Sequence, residues 1–213
     1  MGRRAERSGE VIAHGRLLSD RRTQAILLAL AEGPRRPCEL ESLPGIARST
    51  LFLRLGELKT VGVVLARELS QFPLRIAYGL SERGRVALAD ALLSERRQQR
   101  VLATGTTGAK LGDLLRCVAP ITHVDRAHAG LCVLIEQDTV ELDPPVRMLV
   151  AGEDMVVLDE SELPPSRAAV SIAGRPERWE RALITGSTDG MNLEGDRDLA
   201  AAVLTGLSLA LNT

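Results

Sequence analysis

The chain has 213 residues, 45% of them apolar, enough for two small cores, and its net charge of −1 conceals +7 over residues 1–100 (18 Lys+Arg, 11 Asp+Glu) and −8 beyond (9 against 17). No uninterrupted apolar run of about 18 residues occurs, and three scattered cysteines (Cys38, Cys117, Cys132) make no disulfide framework. These features argue against a spanning helix or a disulfide-built secreted scaffold, and the Arg-rich start is unlike a signal peptide, so the expectation is a cytoplasmic protein of two domains, the basic one turned toward a polyanion.

In chain order, RRTQAILLALAEGP has Ile26, Leu27, Leu30 and Ala31 at helical spacing and stops at Gly33-Pro34. A short second helix follows in PCELESLPG, with Pro37 in its first turn and a break at Pro44-Gly45. ARSTLFLRLGELKTVG is a third helix, whose Leu51, Leu55 and Leu58 face a core. The next stretch, VVLARELSQFPLRIAYGLSERG, alternates around a Ser-Gln-Phe-Pro turn and predicts a hairpin, and RGRVALADALLSERRQQR a further amphipathic helix. Three short helices followed by a hairpin spell a winged helix-turn-helix, in the half of the chain that is basic.

These residues resemble the HxlR-type bacterial transcription regulators over roughly residues 17 to 95. The resemblance runs through ILLALAEGPRRPCEL, LPGIARSTLFLRLGELKTVGVV and FPLRIAYGLSERG; the last is the most specific, with Tyr78, Leu80, Ser81, Glu82 and Gly84 in the family's Tyr-x-Leu, Ser-Glu-x-Gly places. Ser81 also reads as an N-cap. The sequence departs from the family at Ala47, where Ser is usual, and at Phe52 and Leu53, where polar residues are.

A winged helix lays its third helix in the DNA major groove. The outward residues are then Arg48, Ser49, Phe52, Leu53 and Gly56, with Thr50 a further candidate contact; Arg48 and Ser49 suit base edges, and Phe52 and Leu53 the thymine methyl group. Arg54 and Lys59 are expected on phosphates, and Arg67 and Arg75 on the hairpin at the backbone or the minor groove. The competing expectation packs Phe52 and Leu53 against another helix or a dimer partner.

ATGTTGAKLG reads as a linker, which puts the domains at 1–103 and 104–213. Beyond it LCVLIEQ, VRMLVAG, DMVVLDE and AAVSIAG are short strands, RPERWERALITG a helix, MNLEG a final strand and DRDLAAAVLTGLSLAL a final helix. The order predicts an α+β unit with an antiparallel sheet and its helices on one face. Cys117, His123, His128 and Cys132 match no compact zinc motif. No nucleophile elbow, phosphate-binding glycine loop or HExxH motif occurs, so neither an enzyme nor a cofactor is expected.

From about Ala168 to Leu209 the chain resembles sterol carrier protein-like domains, through Gly174, Pro176, Trp179, Leu183, Gly186, Gly195, Asp196 and Leu199, with Ala169 where that family commonly has Asp. The resemblance implies an apolar tunnel for a small hydrophobic metabolite, with Val157, Val170, Ile172, Trp179, Leu183 and Leu204 as candidate lining. Together the two halves read as a homodimeric regulator that binds double-stranded operator DNA and an apolar effector, with no membrane partner. The alternatives are a lipid-binding carrier without operator preference and a regulator that senses oxidants through Cys38.

Overall fold

A computed structural model describes residues 17–18, 20–71, 74–102, 110–138, 145–158 and 168–212. It divides into two units, residues 1–91 and 92–213. The boundary expected near Thr104 and the hairpin tip at Phe72 and Pro73 lie outside the described residues.

In the first unit, helix α1 (Arg21–Ala31) starts where the Asp20 carboxylate accepts from the Thr23 N–H at 3.3 Å and from its hydroxyl at 3.0 Å. Helix α2 (Pro37–Leu40) has Pro37 in its first turn and the Glu39 carboxylate accepting from the Arg36 N–H at 2.6 Å. After the turn that includes Gly45, helix α3 (Arg48–Thr60) buries Leu51, Leu55 and Leu58 against a core that includes Ile26, Leu27, Leu30 and Leu40. Strands β1 (Val64–Gln71) and β2 (Leu74–Leu80) pair antiparallel with an irregularity between Glu68 and Ser70. Arg35 and Tyr78 exchange two backbone hydrogen bonds of 2.8 Å, adding a third rung to this small sheet. The unit is a winged helix-turn-helix.

Helix α4 (Glu82–Leu102) begins at Ser81, whose hydroxyl oxygen accepts from the Gly84 N–H at 2.9 Å. The same hydroxyl lies 2.6 Å from the Gly62 carbonyl and 3.1 Å from that of Val63, and the Ser81 N–H donates to Val63 at 3.0 Å. Gly84 sits so close to this turn that a Cβ there would lie 2.1 Å from the Val63 oxygen. The Ser-Glu-x-Gly motif therefore fastens the start of α4 to the junction of α3 and β1.

In the second unit, helix α5 (Leu111–Val118) precedes strands β3 (Cys132–Gln137), β4 (Val146–Ala151), β5 (Asp154–Leu158) and β6 (Val170–Gly174), helix α6 (Pro176–Thr185), strand β7 (Asn192–Gly195) and helix α7 (Arg197–Asn212). The strand order is β5-β4-β3-β6-β7. The expected antiparallel sheet is corrected to a mixed one: β6 runs parallel to β3, with Val133 beside Val170 and Ile135 beside Ile172. The reason is topological. β3, β4 and β5 form a meander, and the chain then crosses back to the open edge of β3, where it runs in β3's own direction.

One face of this sheet carries a buried apolar set, Val133, Ile135, Met148, Val150, Val170 and Ile172. The helices supply matching apolar stripes, including Leu114, Leu115 and Val118 of α5, Trp179 and Leu183 of α6, and Leu199, Val203, Leu204 and Leu207 of α7. The Trp179 indole N–H donates to the Glu136 carbonyl at 2.9 Å, which fixes α6 to β3. Gly195 has φ +105 and no room for a Cβ, which would stand 2.3 Å from the Ala169 oxygen. Asp196 then caps α7, its carboxylate accepting from the N–H groups of Asp198 and Leu199 at 3.0 Å each.

Candidate nucleic-acid interface

Helix α3 presents two unlike faces. The leucines point inward, and outward stand Arg48, Ser49 and Lys59, all exposed, with Thr50 half-buried. Phe52 and Leu53 are 42% and 60% exposed, so within the chain they are not part of a core. The Arg48 guanidinium lies 5.8 Å from the centre of the Phe52 ring, one helical turn away. Ala47 occupies the N-cap with no side chain to accept from the first turn, as its identity predicts.

The cations divide into two sets. Arg67 on β1 and Arg75 on β2 are exposed, and neither forms an ion pair among the described residues. Arg54 is different: its Nη1 donates to Glu57 at 2.7 Å, its Nη2 lies 3.5 Å from Asp20, and its Nε is buried without a partner among the described residues. The Glu57 bond raises the Arg54 pKa further, so the group is a permanent cation committed inside the domain, linking α3 to the start of α1. Of the expected phosphate contacts, Lys59, Arg67 and Arg75 are exposed, and Arg54 is half-buried beside Glu57 and Asp20.

Sequence reasoning missed two acidic partners. Glu41, at the end of α2, has its carboxylate 3.2 Å from Arg48 Nε. Asp20 serves both the α1 cap and Arg54. Neither pair follows from periodicity, since each joins residues from different elements.

The residues expected to line an apolar tunnel are all in the second unit. Val170, Ile172, Trp179, Leu183 and Leu204 are buried, and Val157 is half-buried. None of them borders a cavity of about 240 Å³ that opens at the ends of β3 and β6; its polar lining includes Asp138, Arg175, Arg178 and Asn192. Cys38 is exposed, whereas Cys117 and Cys132 are buried. Burial pushes the Cys132 thiol pKa up, so that it stays a neutral thiol. Among the described residues no group of three or more His, Cys, Asp or Glu gathers as a metal site, and no helix is long and apolar enough to cross a membrane.

Comparison with known proteins extends this geometry over the first unit. Residues 17–95 match the family model described as HxlR-like helix-turn-helix. Over 70 residues the chain is 37% identical to the uncharacterized HTH-type transcriptional regulator sll1512 of Synechocystis sp., a match that covers 32% of this chain and 52% of that protein. The chain thus spans about half the length of this relative. Among solved structures, the reduced form of the transcriptional regulator YodB from B. subtilis is 30% identical with a TM-score of 0.33, over 41% of this chain and 81% of that one. The homodimeric winged helix-turn-helix DNA-binding domain of Mb0332 from Mycobacterium bovis is 25% identical with a TM-score of 0.39, over 50% of this chain and 95% of that one. Residues 17–95, which hold α3, the wing hairpin and the Ser-Glu-x-Gly junction, are thus similar to the HxlR-like helix-turn-helix family.

Proposed function

We propose that the chain is a DNA-binding transcription regulator whose first unit docks α3 in the major groove, and whose second unit takes a small apolar effector. The observation that carries the first part is the outer edge of α3. Arg48 and Ser49 offer hydrogen bonds at its N-terminal end, Phe52 and Leu53 offer an apolar surface beside them, and Lys59 stands clear of the fold for phosphate. Arg67 and Arg75 extend the cationic track along the wing. Thr50 completes the first turn, and Arg54 is assigned a structural role inside the domain. A dimer would set two recognition helices about 34 Å apart on successive grooves.

The effector part rests on the second unit's one-sided sheet, whose apolar face is matched by three amphipathic helices, and on the resemblance to sterol carrier protein-like domains. An effector can alter DNA binding only if its affinity differs between two arrangements of the protein. The test is a mobility shift on the DNA flanking the chain's own gene against random duplex, with Arg48→Ala and Cys38→Ser alongside. A shift specific to the flanking DNA and lost in Arg48→Ala supports the reading. No preference over random duplex at any salt supports a carrier instead, and loss of oxidant response in Cys38→Ser supports redox sensing.

A further inference from the structure

We infer that Glu41 sets the base selectivity of this domain by holding Arg48 against Phe52, so that the two side chains act as one reading head for a guanine beside a thymine. This rests on the DNA-binding reading given above.

Three observations lead to it. The Glu41 carboxylate lies 3.2 Å from Arg48 Nε, and it reaches there from a different helix, so the pair bridges the turn of the helix-turn-helix. The Glu41 backbone is fixed at the end of α2, where its N–H donates to the Pro37 carbonyl at 2.9 Å. On the other flank the guanidinium lies 5.8 Å from the Phe52 ring centre. The Arg48 side chain is 76% exposed and that of Glu41 32% exposed, and ion pairs this open add little to stability. Their position on the outer edge of α3 points to another role.

The chemistry follows from which nitrogen is taken. Glu41 approaches Arg48 most closely at Nε, 3.2 Å away, rather than at either of the two terminal NH₂ groups. Those groups suit the O6 and N7 acceptors that guanine presents together in the major groove. With one side held by a carboxylate and the other by a ring, Arg48 surrenders less side-chain freedom on binding. The carboxylate also repels phosphate, so Arg48 is steered from the backbone contact that any sequence offers toward the base edge. Phe52, alongside, has no hydrogen bond to give but fits a thymine methyl group. Glu41 is thus a positioning residue that raises discrimination while lowering indiscriminate affinity.

The test uses the full chain and a pool of DNA duplexes randomised at their centre, with retained duplexes sequenced at moderate salt. The wild type is expected to enrich guanine next to thymine. Glu41→Gln is expected to keep its unfolding midpoint, retain more total duplex, and lose guanine preference by about tenfold, the discrimination of one good bidentate contact. Phe52→Leu, which takes the ring from the other side of the guanidinium, is expected to weaken the guanine preference and the thymine selection together. Guanine enrichment by Glu41→Gln equal to that of the wild type overturns the assignment while leaving DNA binding intact. A wild type that retains no duplex at any salt removes the DNA-binding reading and this inference with it.

Discussion

Replacing Gly84 by Ala separates packing from propensity in sign as well as size. Gly84 is the third residue of α4, and intrinsic helix preference favours Ala there by at most about 1 kcal/mol. The structure opposes this. A Cβ would stand 2.1 Å from the Val63 oxygen, 0.9 Å inside the 3.0 Å that real Cβ contacts essentially never breach, and the neighbour is backbone. Relieving the clash moves α4 away from the α3–β1 junction, at a cost of about 1–3 kcal/mol for a forced backbone shift. It also stretches the Gly84 N–H bond to Ser81, a cap worth about 1 kcal/mol. The net expectation is a loss of about 1–3 kcal/mol in the first unit, a drop in melting temperature of at least about 4 °C for a domain of this size. Amide hydrogen exchange by mass spectrometry reads it where it arises, as faster exchange in peptides spanning Gly62–Val64 and Ser81–Leu88. Trp179, the single tryptophan, sits in the second unit, so its fluorescence transition in urea should not move. A Gly84→Ala chain as stable as the wild type, with unchanged exchange at these peptides, would refute the reasoning.

Ala47→Ser should stabilise the first unit by about 0.5–1 kcal/mol by supplying the side-chain cap that α3 lacks, measured as a rise in its thermal midpoint. Glu39 has its pKa lowered by the hydrogen bond from the Arg36 side chain, then by that from the Arg36 backbone N–H. Its contribution is therefore present above the ordinary glutamate value of about 4.3 and is lost as pH falls through the lower folded value. Glu39→Gln should flatten this acid limb of the first unit's stability; an unchanged limb assigns it to other carboxylates. Trp179→Phe keeps most of the buried ring but loses the indole hydrogen bond to the Glu136 carbonyl, and should cost the second unit about 0.5–1.5 kcal/mol in urea unfolding followed by circular dichroism. Arg67→Ala and Arg75→Ala should each reduce the slope of log affinity against log salt by about 0.9 if each meets one phosphate, and equal slopes would place them off the DNA.

The helices of the first unit and the wing hairpin were legible because their patterns repeat: Leu51, Leu55 and Leu58 at helical spacing, and VLARELS opposite LRIAYGL in alternation, whereas the start of α5 fell in the stretch read as a linker. Ser81 was legible as a cap for the same local reason, since its acceptor role lies within three residues. What escaped was set by distant neighbours. The parallel pairing of β3 with β6 depends on where the crossover lands, and strand composition is silent on direction. The one-residue rung between Arg35 and Tyr78 is too short to have a period. Arg54 has the charge and near-outward position of a phosphate contact, and only the fold brings Asp20 beside it. Glu41 was invisible in the same way, being seven residues from Arg48 across a Pro-Gly break that has no fixed geometry in sequence.

The parallel pair at the centre of the second unit also orders its assembly in time. β3 is complete on one side once the β4 turn closes, but its other edge waits for β6, whose Val170 lies 37 residues beyond Val133. Closing a loop of that length precedes any reward from the pairing, which places the second unit among slower folders, whereas the first unit forms mainly from near neighbours in sequence. During synthesis the winged helix would be native while Met148, Val150 and Ile172 still lay uncovered, because α7 follows them in the chain. The vulnerable interval for aggregation or chaperone capture therefore belongs to the acidic half, and slowing translation between β5 and β6 should lengthen it without touching the first unit.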